Sequence, residues 1–388
     1  MEEKVIFRIG RSDLLSVLKA TSKIVSDKSI LPVYTYILFE IKDGSLTLTG
    51  TNTGIQIEAN VDLIESSSDM SFCADKMIAG ILESLPEQPL IFEITKTTTI
   101  ESRAGGEVKT VSVEVCLTHA SGQVSVPGFD SEYFTKMKDF GGDKFNIPIA
   151  NLKAGIAKTK PFMGEDPLRP AMNSVYMDIK EDCVVFVATN NATLSRFTDY
   201  SLSGMAQNGF ILDSDFVNIL SSTLGGTKED ECQISASGNN ISFQIGRVKI
   251  ASRLIEGRYA DYNSIFPQGP STTATIDVSR MSSALGRMIL LSNEANYHMV
   301  VADIDPSGIS LSTKDDRFNR MAEEGVDCSP SGSIRIGVNG SDFSKALKSL
   351  NGNAVISLTS PDRVILIEPK NQGEHTHHSL ICTPVLID

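Results

Sequence analysis

Hydrophobic and polar residues alternate along most of this chain, and the alternation keeps returning to one design. The stretch VVFVATNNATLSRF (Val184 to Phe197) reads as an apolar strand, a small polar turn and a second strand. LTLTGTNTGIQIEA (Leu46 to Ala59) has the same shape, and ISLSTKDDRF (Ile309 to Phe318) has it again. Each is entered by a strand that runs apolar, acidic, isoleucine and then charged turn: ILFEIKDG (Ile37 to Gly44), VYMDIKED (Val175 to Asp182) and VVADIDPSG (Val300 to Gly308). The equivalent isoleucines, Ile41, Ile179 and Ile304, lie 138 and 125 residues apart, a domain-sized period.

At six places the apolar period lengthens from two to that of a helix, and the pattern predicts helices over 11–25, 75–85, 152–160, 214–224, 279–289 and 341–349. Ser12, Asn151 and Ser279, each to within a residue, are the expected N-caps of three of them, since a side-chain oxygen there can accept an orphan backbone N–H. Two helices share the string SDFxxxL, at Ser214 to Leu220 and Ser341 to Leu347, and each is followed by alternating strands with turns at Asn239-Asn240 and Pro361-Asp362. The chain therefore reads as three α+β modules, each holding two strand–helix–sheet halves. FGGDK (Phe140 to Lys144) and FPQGPSTT (Phe266 to Thr273) are the linkers, which places the domains at 1–140, 141–270 and 271–388. Repetition on this scale suits a curved or ring-like assembly whose equivalent faces point the same way.

Composition adds three constraints. No apolar run approaches the ~18 residues of a membrane span, and the start, MEEKVIFRIG, is acidic where a signal peptide would be basic. The six cysteines are scattered singly with no CxxC pair, so neither a zinc site nor a disulfide framework is expected, and the cytoplasm is the expected compartment. The net charge of −13 argues against a nucleic-acid partner only if it is evenly spread. It is not. The six predicted helices carry eleven basic and five acidic side chains, a balance of +6 that leaves −19 for everything else. A basic helical surface on an acidic body suits phosphate contact without base reading. The absence of tryptophan and an aromatic content of 6% argue against stacking on single strands.

Several strings resemble one family specifically. ASRLIEGRYADYNSIFPQ (Ala251 to Gln268), SDKSILPVYTYILFEI, DPLRPAMNSVYMDI (Asp166 to Ile179), LLSNEANY (Leu290 to Tyr297) and the final ICTPVLID look like the bacterial DNA polymerase III beta subunit, the replicative sliding clamp, and the likeness runs in register over essentially the whole chain. The resemblance implies three domains of the DNA-clamp fold and a head-to-tail homodimer whose helices line a ring around duplex DNA. Size agrees with two chains: beads of ~130 residues are about 36 Å across, so three close without a hole and six leave an opening near 33 Å, wider than a duplex of roughly 20 Å. By the same resemblance Lys19, Lys23, Lys28, Lys153, Lys158, Lys160, Arg169, Arg280 and Arg287 are the DNA-facing cations. Val124 and Val126 on an edge strand meet Leu290 and Leu291 of the second copy. Short peptides from DNA polymerase III and clamp-loader subunits dock in a pocket formed by Met172, Thr189, Leu194, Ile265, Asn339, Ile381, Thr383, Pro384 and Val385.

The chain departs from the family pattern in places. The loop TNNATLS carries Ala192 and Thr193 where the family has a histidine and a base, Ala260 replaces a proline, Thr383 replaces a methionine, and the segment Lys109 to Gly122 lengthens the first domain. These changes leave the fold alone and shift the expected partner preference, as in a clamp paralogue of a mobile element or repair system.

No phosphate-binding glycine loop, GxSxG elbow, HExxH helix or GxGxxG turn is present, so no catalysis and no cofactor are expected. In the tract EHTHHS (Glu374 to Ser379), His375 and His377 would share one strand face, yet a third ligand is missing and a surface loop is the reading. Two rivals from other classes are a triplicated structural protein without DNA function and a glycosidase using paired carboxylates; the second rests on acidity alone. The positions of the lysines separate the first from a clamp.

Overall fold

The computed structural model describes residues 2–26, 28–29, 31–103, 106–205 and 208–387. Six α-helices form where the pattern placed them: α1 (Arg11–Thr21), α2 (Met77–Ser84), α3 (Ile149–Thr159), α4 (Ser214–Gly226), α5 (Val278–Leu291) and α6 (Gly340–Lys348). Helix α1 stops four residues short of expectation. The Thr21 and Ser22 hydroxyls donate back to the carbonyls of Val17 and Leu18 at 2.9 and 2.6 Å, which ties off the last turn and leaves Lys23 beyond it. The three expected N-caps are corrected. Ser12 donates its hydroxyl to Glu87, and Asn151 uses its amide on Asp199 at 2.7 Å, while Gly10 precedes α1 without a side-chain cap. Asp277 caps α5, accepting the Arg280 N–H at 2.8 Å, because a carboxylate at the helix start also complements the dipole.

The three repeated hairpins are present as strand pairs Ser45–Thr51 with Ile55–Asp62, Val184–Thr189 with Thr193–Asp199, and Gly308–Asp315 with Arg320–Val326. An Asn or Asp side chain closes each turn: Asn52 accepts from Gly54 and Ile55, Asn190 from Ala192 and Thr193, and Asp315 from Arg317. The later hairpin turn falls on Gly238-Asn239, one residue before the expected pair, because Gly238 takes the left-handed conformation at φ +56°.

The chain forms two compact units. The first comprises residues 1–149 and 222–253 and contains one sheet of thirteen strands. The second comprises residues 150–221 and 254–388 and contains sheets of nine and five strands. The middle third of the sequence is shared between them, because both long sheets run across module limits. In the first unit the hairpin strand Ile55–Asp62 pairs antiparallel with Val248–Arg253. In the second unit the equivalent strand Thr193–Asp199 pairs antiparallel with Thr376–Cys382. Sequence periodicity marks strands but not which distant strand completes a sheet.

Two strands of this repeating scheme keep an open side. Arg320–Val326, the third copy of the hairpin strand, is one edge of the five-stranded sheet. Gly122–Asp130 holds the place in the first module that Val248–Arg253 and Thr376–Cys382 hold in the others. It pairs with Gly106–His119 along 122–128 but with Met70–Asp75 only along 128–130, so the other side of its first half is open among the described residues. Gly128 sits at the crossover, where a Cβ would come within 2.7 Å of Val113 Cγ1 and 2.9 Å of the Cys73 carbonyl, a spacing only glycine tolerates.

Helices cover one face of each module's strands and build its core. In the last module Met281 and Leu285 of α5 and Phe343 of α6 are buried against Ile304, Leu311 and Ile356. In the first, stacked pairs Phe7–Phe92 and Phe39–Phe72 lie at 4.9 and 5.0 Å. All six cysteines are free. No helix among the described residues is long and apolar enough to cross a membrane.

Candidate peptide groove and basic helical face

The pocket residues fall on four pieces of the second unit: the paired strands Thr193–Asp199 and Thr376–Cys382 with their neighbour Val184–Thr189, the pairing of Pro384–Val385 with Ile334–Asn339, the turn at Met172 and the linker at Ile265. Leu194 and Ile381 stand directly opposite one another on the paired strands that join the modules, both with 2% exposure, and belong to one apolar cluster with Val187, Tyr259 and Tyr262. Thr189 is buried at the end of the neighbouring strand and donates its hydroxyl to the Thr193 carbonyl at 2.7 Å. Past Cys382 the chain turns, so that Pro384 and Val385 pair with Val338 and Gly337. Asn339 follows those residues and accepts the backbone N–H of Ser341 and Asp342, which makes it the N-cap of α6. The Met172 carbonyl receives the Gly164 N–H at 2.8 Å. Ile265 is 40% exposed and lines a cavity of about 480 Å³ with Phe266, Asp362, Arg363 and Val364.

Three side chains here escaped the sequence reading. Phe266, Val364 and Leu366 pack against the same cluster as Leu194 and Ile381 and widen the apolar floor. Phe266 also carries the Arg196 guanidinium at 3.6 Å from its ring centroid, and burial lowers the pKa of that arginine. The divergent positions form one latch: both the N–H and the hydroxyl of Thr383 donate to the Ala192 carbonyl, at 2.8 and 3.1 Å. A methionine could make only the first of these bonds.

The nine cations divide by partner. Lys19 lies 2.7 Å from Glu83 of α2, Arg169 lies 3.7 Å from Asp166, Arg280 lies 3.9 Å from Asp327, and Arg287 holds Glu324 through both Nε (2.8 Å) and Nη2. That last contact raises the arginine pKa and lowers the glutamate's. Lys23 donates to the Thr223 hydroxyl at 3.3 Å and Lys158 to the Ser349 carbonyl at 2.6 Å, and burial lowers the pKa of both amines. Lys28 and Lys153 are exposed and Lys160 is half-buried, without ion pairs among the described residues. Other helix cations spend their charge on structure: Arg11 donates to the carbonyls of Leu82 and Glu83 at the end of α2.

Lys158 does not stand alone. It shares a cavity of about 650 Å³ with Lys345 and Lys348, two lysines the sequence reading counted on their helix without assigning them a contact.

The edge residues are as open as an interface needs on one side and less so on the other. Leu290 and Leu291 end α5 with 76% and 37% exposure, whereas Val124 is half-buried and Val126 is buried. In the EHTHHS tract, His375 is exposed, His377 lies 3.3 Å from Glu368, and His378 is buried with its Nε2 3.0 Å from the Ser195 hydroxyl. Ser195 donates to the Lys158 carbonyl, so His378 donates through Nε2 and is neutral; its pKa is pushed down to about 3, first by burial and then by Lys158. No group of three His, Cys, Asp or Glu placed to hold a metal occurs among the described residues.

Three family profiles match in chain order: the DNA polymerase III beta subunit N-terminal domain over residues 5–114, its central domain over 146–261 and its C-terminal domain over 263–382. The beta sliding clamp of Staphylococcus aureus strain N315 is 23% identical over 383 residues, covering 95% of this chain and 97% of that protein. Solved structures superpose along the whole chain. The sliding clamp from Bacillus subtilis gives a TM-score of 0.87 at 19% identity, with full coverage of both chains. The beta subunit from Streptococcus pyogenes gives 0.87 at 21%, covering 98% of this chain and all of that one.

Proposed function

We propose the following function for this chain, which belongs to the DNA polymerase III beta subunit family of sliding clamps: two copies close head to tail into a ring around duplex DNA and tether polymerase and clamp-loader subunits to it. A clamp of this family is a non-catalytic processivity factor, so its activity is topological and belongs to the replication machinery it serves. The compartment is the cytoplasm, and the domains are 1–140, 141–270 and 271–388.

One observation carries the dimer. The strand pairing that joins module one to two recurs between modules two and three, both antiparallel and both made by the same two members of the repeat. Among the described residues each chain is left with one unused member of each kind, Arg320–Val326 and the first half of Gly122–Asp130. Repeating the pairing between chains satisfies both open edges and, applied twice, closes the assembly. Leu290 and Leu291 then meet the edge strand around Val124 and Val126 of the second copy.

Duplex DNA is held through phosphates by the helical cations, weakly and without sequence preference. The apolar groove over Leu194, Ile381 and Ile265 takes a short peptide with aliphatic or aromatic anchors. Ala192, Thr193 and Thr383 remove the usual polar rim and thioether, which shifts peptide preference away from that of an ordinary replicative clamp. Sedimentation equilibrium tests the reading. Two chains of 42.0 kDa sediment together at micromolar concentration; the mass of one chain there rejects the ring.

A further inference from the structure

The cations of the helical face are not equivalent, and their differences locate a contact. Lys19, Arg280 and Arg287 each lie against a carboxylate, so a phosphate gains little from them without displacing that partner. Lys345 and Lys348 have no ion pair among the described residues, and they open into one cavity together with Lys158. The lining holds hydroxyl donors too: Ser341 and Ser344 occupy the same face of α6, spaced with the two lysines at helical intervals. Among the described residues no acidic side chain lines it, and Asp342, the one carboxylate of α6, is not part of the lining. Pro161 and Ile289 supply an apolar wall.

Three ammonium groups, serine hydroxyls and an apolar wall match a sugar–phosphate strand, which presents anionic oxygens on one side and deoxyribose carbon on the other. We propose that the cavity between α3, α5 and α6 is the principal phosphate seat for duplex DNA, with Lys345 and Lys348 as its contact residues. The Lys158 amine, held by the Ser349 carbonyl, is its fixed member. The seat rests on the DNA-encircling reading and adds that the duplex is gripped at this seam rather than evenly by all helical cations. The carboxylate-paired arginines and lysine contribute only background potential.

The test measures duplex DNA affinity against salt for the full-length protein, using fluorescence anisotropy. Each phosphate contact adds about 0.9 to the slope of log affinity against log salt. Lys345→Gln/Lys348→Gln lowers that slope by about 2, and Lys345→Arg/Lys348→Arg restores it. The charge-matched control Lys42→Gln/Lys370→Gln, on exposed residues away from the helices, leaves the slope unchanged. Equal slopes for the wild type and the Lys345/Lys348 variant, or an equal fall in the control, overturn the seat while DNA binding itself stands. A wild type with no salt-dependent duplex binding overturns the DNA reading and the seat with it.

Discussion

Replacing Leu290 and Leu291 with aspartate attacks the proposed contact where the structure leaves most apolar surface uncovered. With 76% and 37% exposure, the pair offers about one leucine side chain of open surface. Covering that surface is worth roughly 1.5–3 kcal/mol per contact. A closed dimer has two such contacts, so the loss raises the dissociation constant by roughly 10²- to 10⁴-fold. Aspartate adds the cost of a charge without a partner beside Val124 and Val126. Because both leucines already face solvent in the single chain, the substitutions leave the fold intact, and the far-UV circular dichroism of the variant matches that of the wild type. Light scattering at micromolar concentration then reads one chain for Leu290→Asp/Leu291→Asp and two for the wild type. A variant that stays dimeric from micromolar to nanomolar concentration refutes the argument.

Three further outcomes follow from single groups. Ile265→Asp, chosen because Leu194 is too buried to change without disturbing the core, weakens a family-type peptide by roughly 5- to 30-fold in a fluorescence titration; equal affinity shows that the peptide binds elsewhere. Tyr259 is buried with its hydroxyl unpartnered among the described residues, so Tyr259→Phe stabilises the protein by about 1 kcal/mol, and a lowered melting temperature contradicts that assignment. His378 has a folded-state pKa of about 3, below the unfolded value near 6.5. Its contribution to stability is therefore complete above about pH 6.5 and is lost as pH falls toward 3, up to about 2 kcal/mol between pH 6.5 and 5. Urea midpoints across that interval flatten in His378→Asn, and parallel wild-type and variant profiles exclude the histidine as the cause.

Local pattern carried most of the elements because alternation and helical spacing are set by which face each residue buries. Six helices and three hairpins were legible for that reason. Capping was less so: Ser279 and Asp277 both offer an oxygen near the start of α5, and geometry chose the carboxylate. Partnering was illegible. Nothing local distinguishes Arg287, held by Glu324, from Lys348, which has no ion pair among the described residues, and nothing marks Lys158 as the residue that reaches the Ser349 carbonyl 191 positions away. The groove's floor was found through family likeness, but Phe266, Val364 and Leu366 were missed because they reach the cluster from segments distant in sequence from Leu194, the linker before Thr272 and the strand Ile365–Pro369 with its preceding residue.

The central claim, that two chains enclose DNA, is tested most directly by topology. The protein is loaded with its clamp loader onto a nicked circular plasmid, freed of unbound material by gel filtration, and followed before and after a single restriction cut. A ring stays with the circle at salt concentrations that abolish binding to linear DNA, and it leaves within minutes once the circle is opened. Equal retention on cut and uncut plasmid would contradict the account.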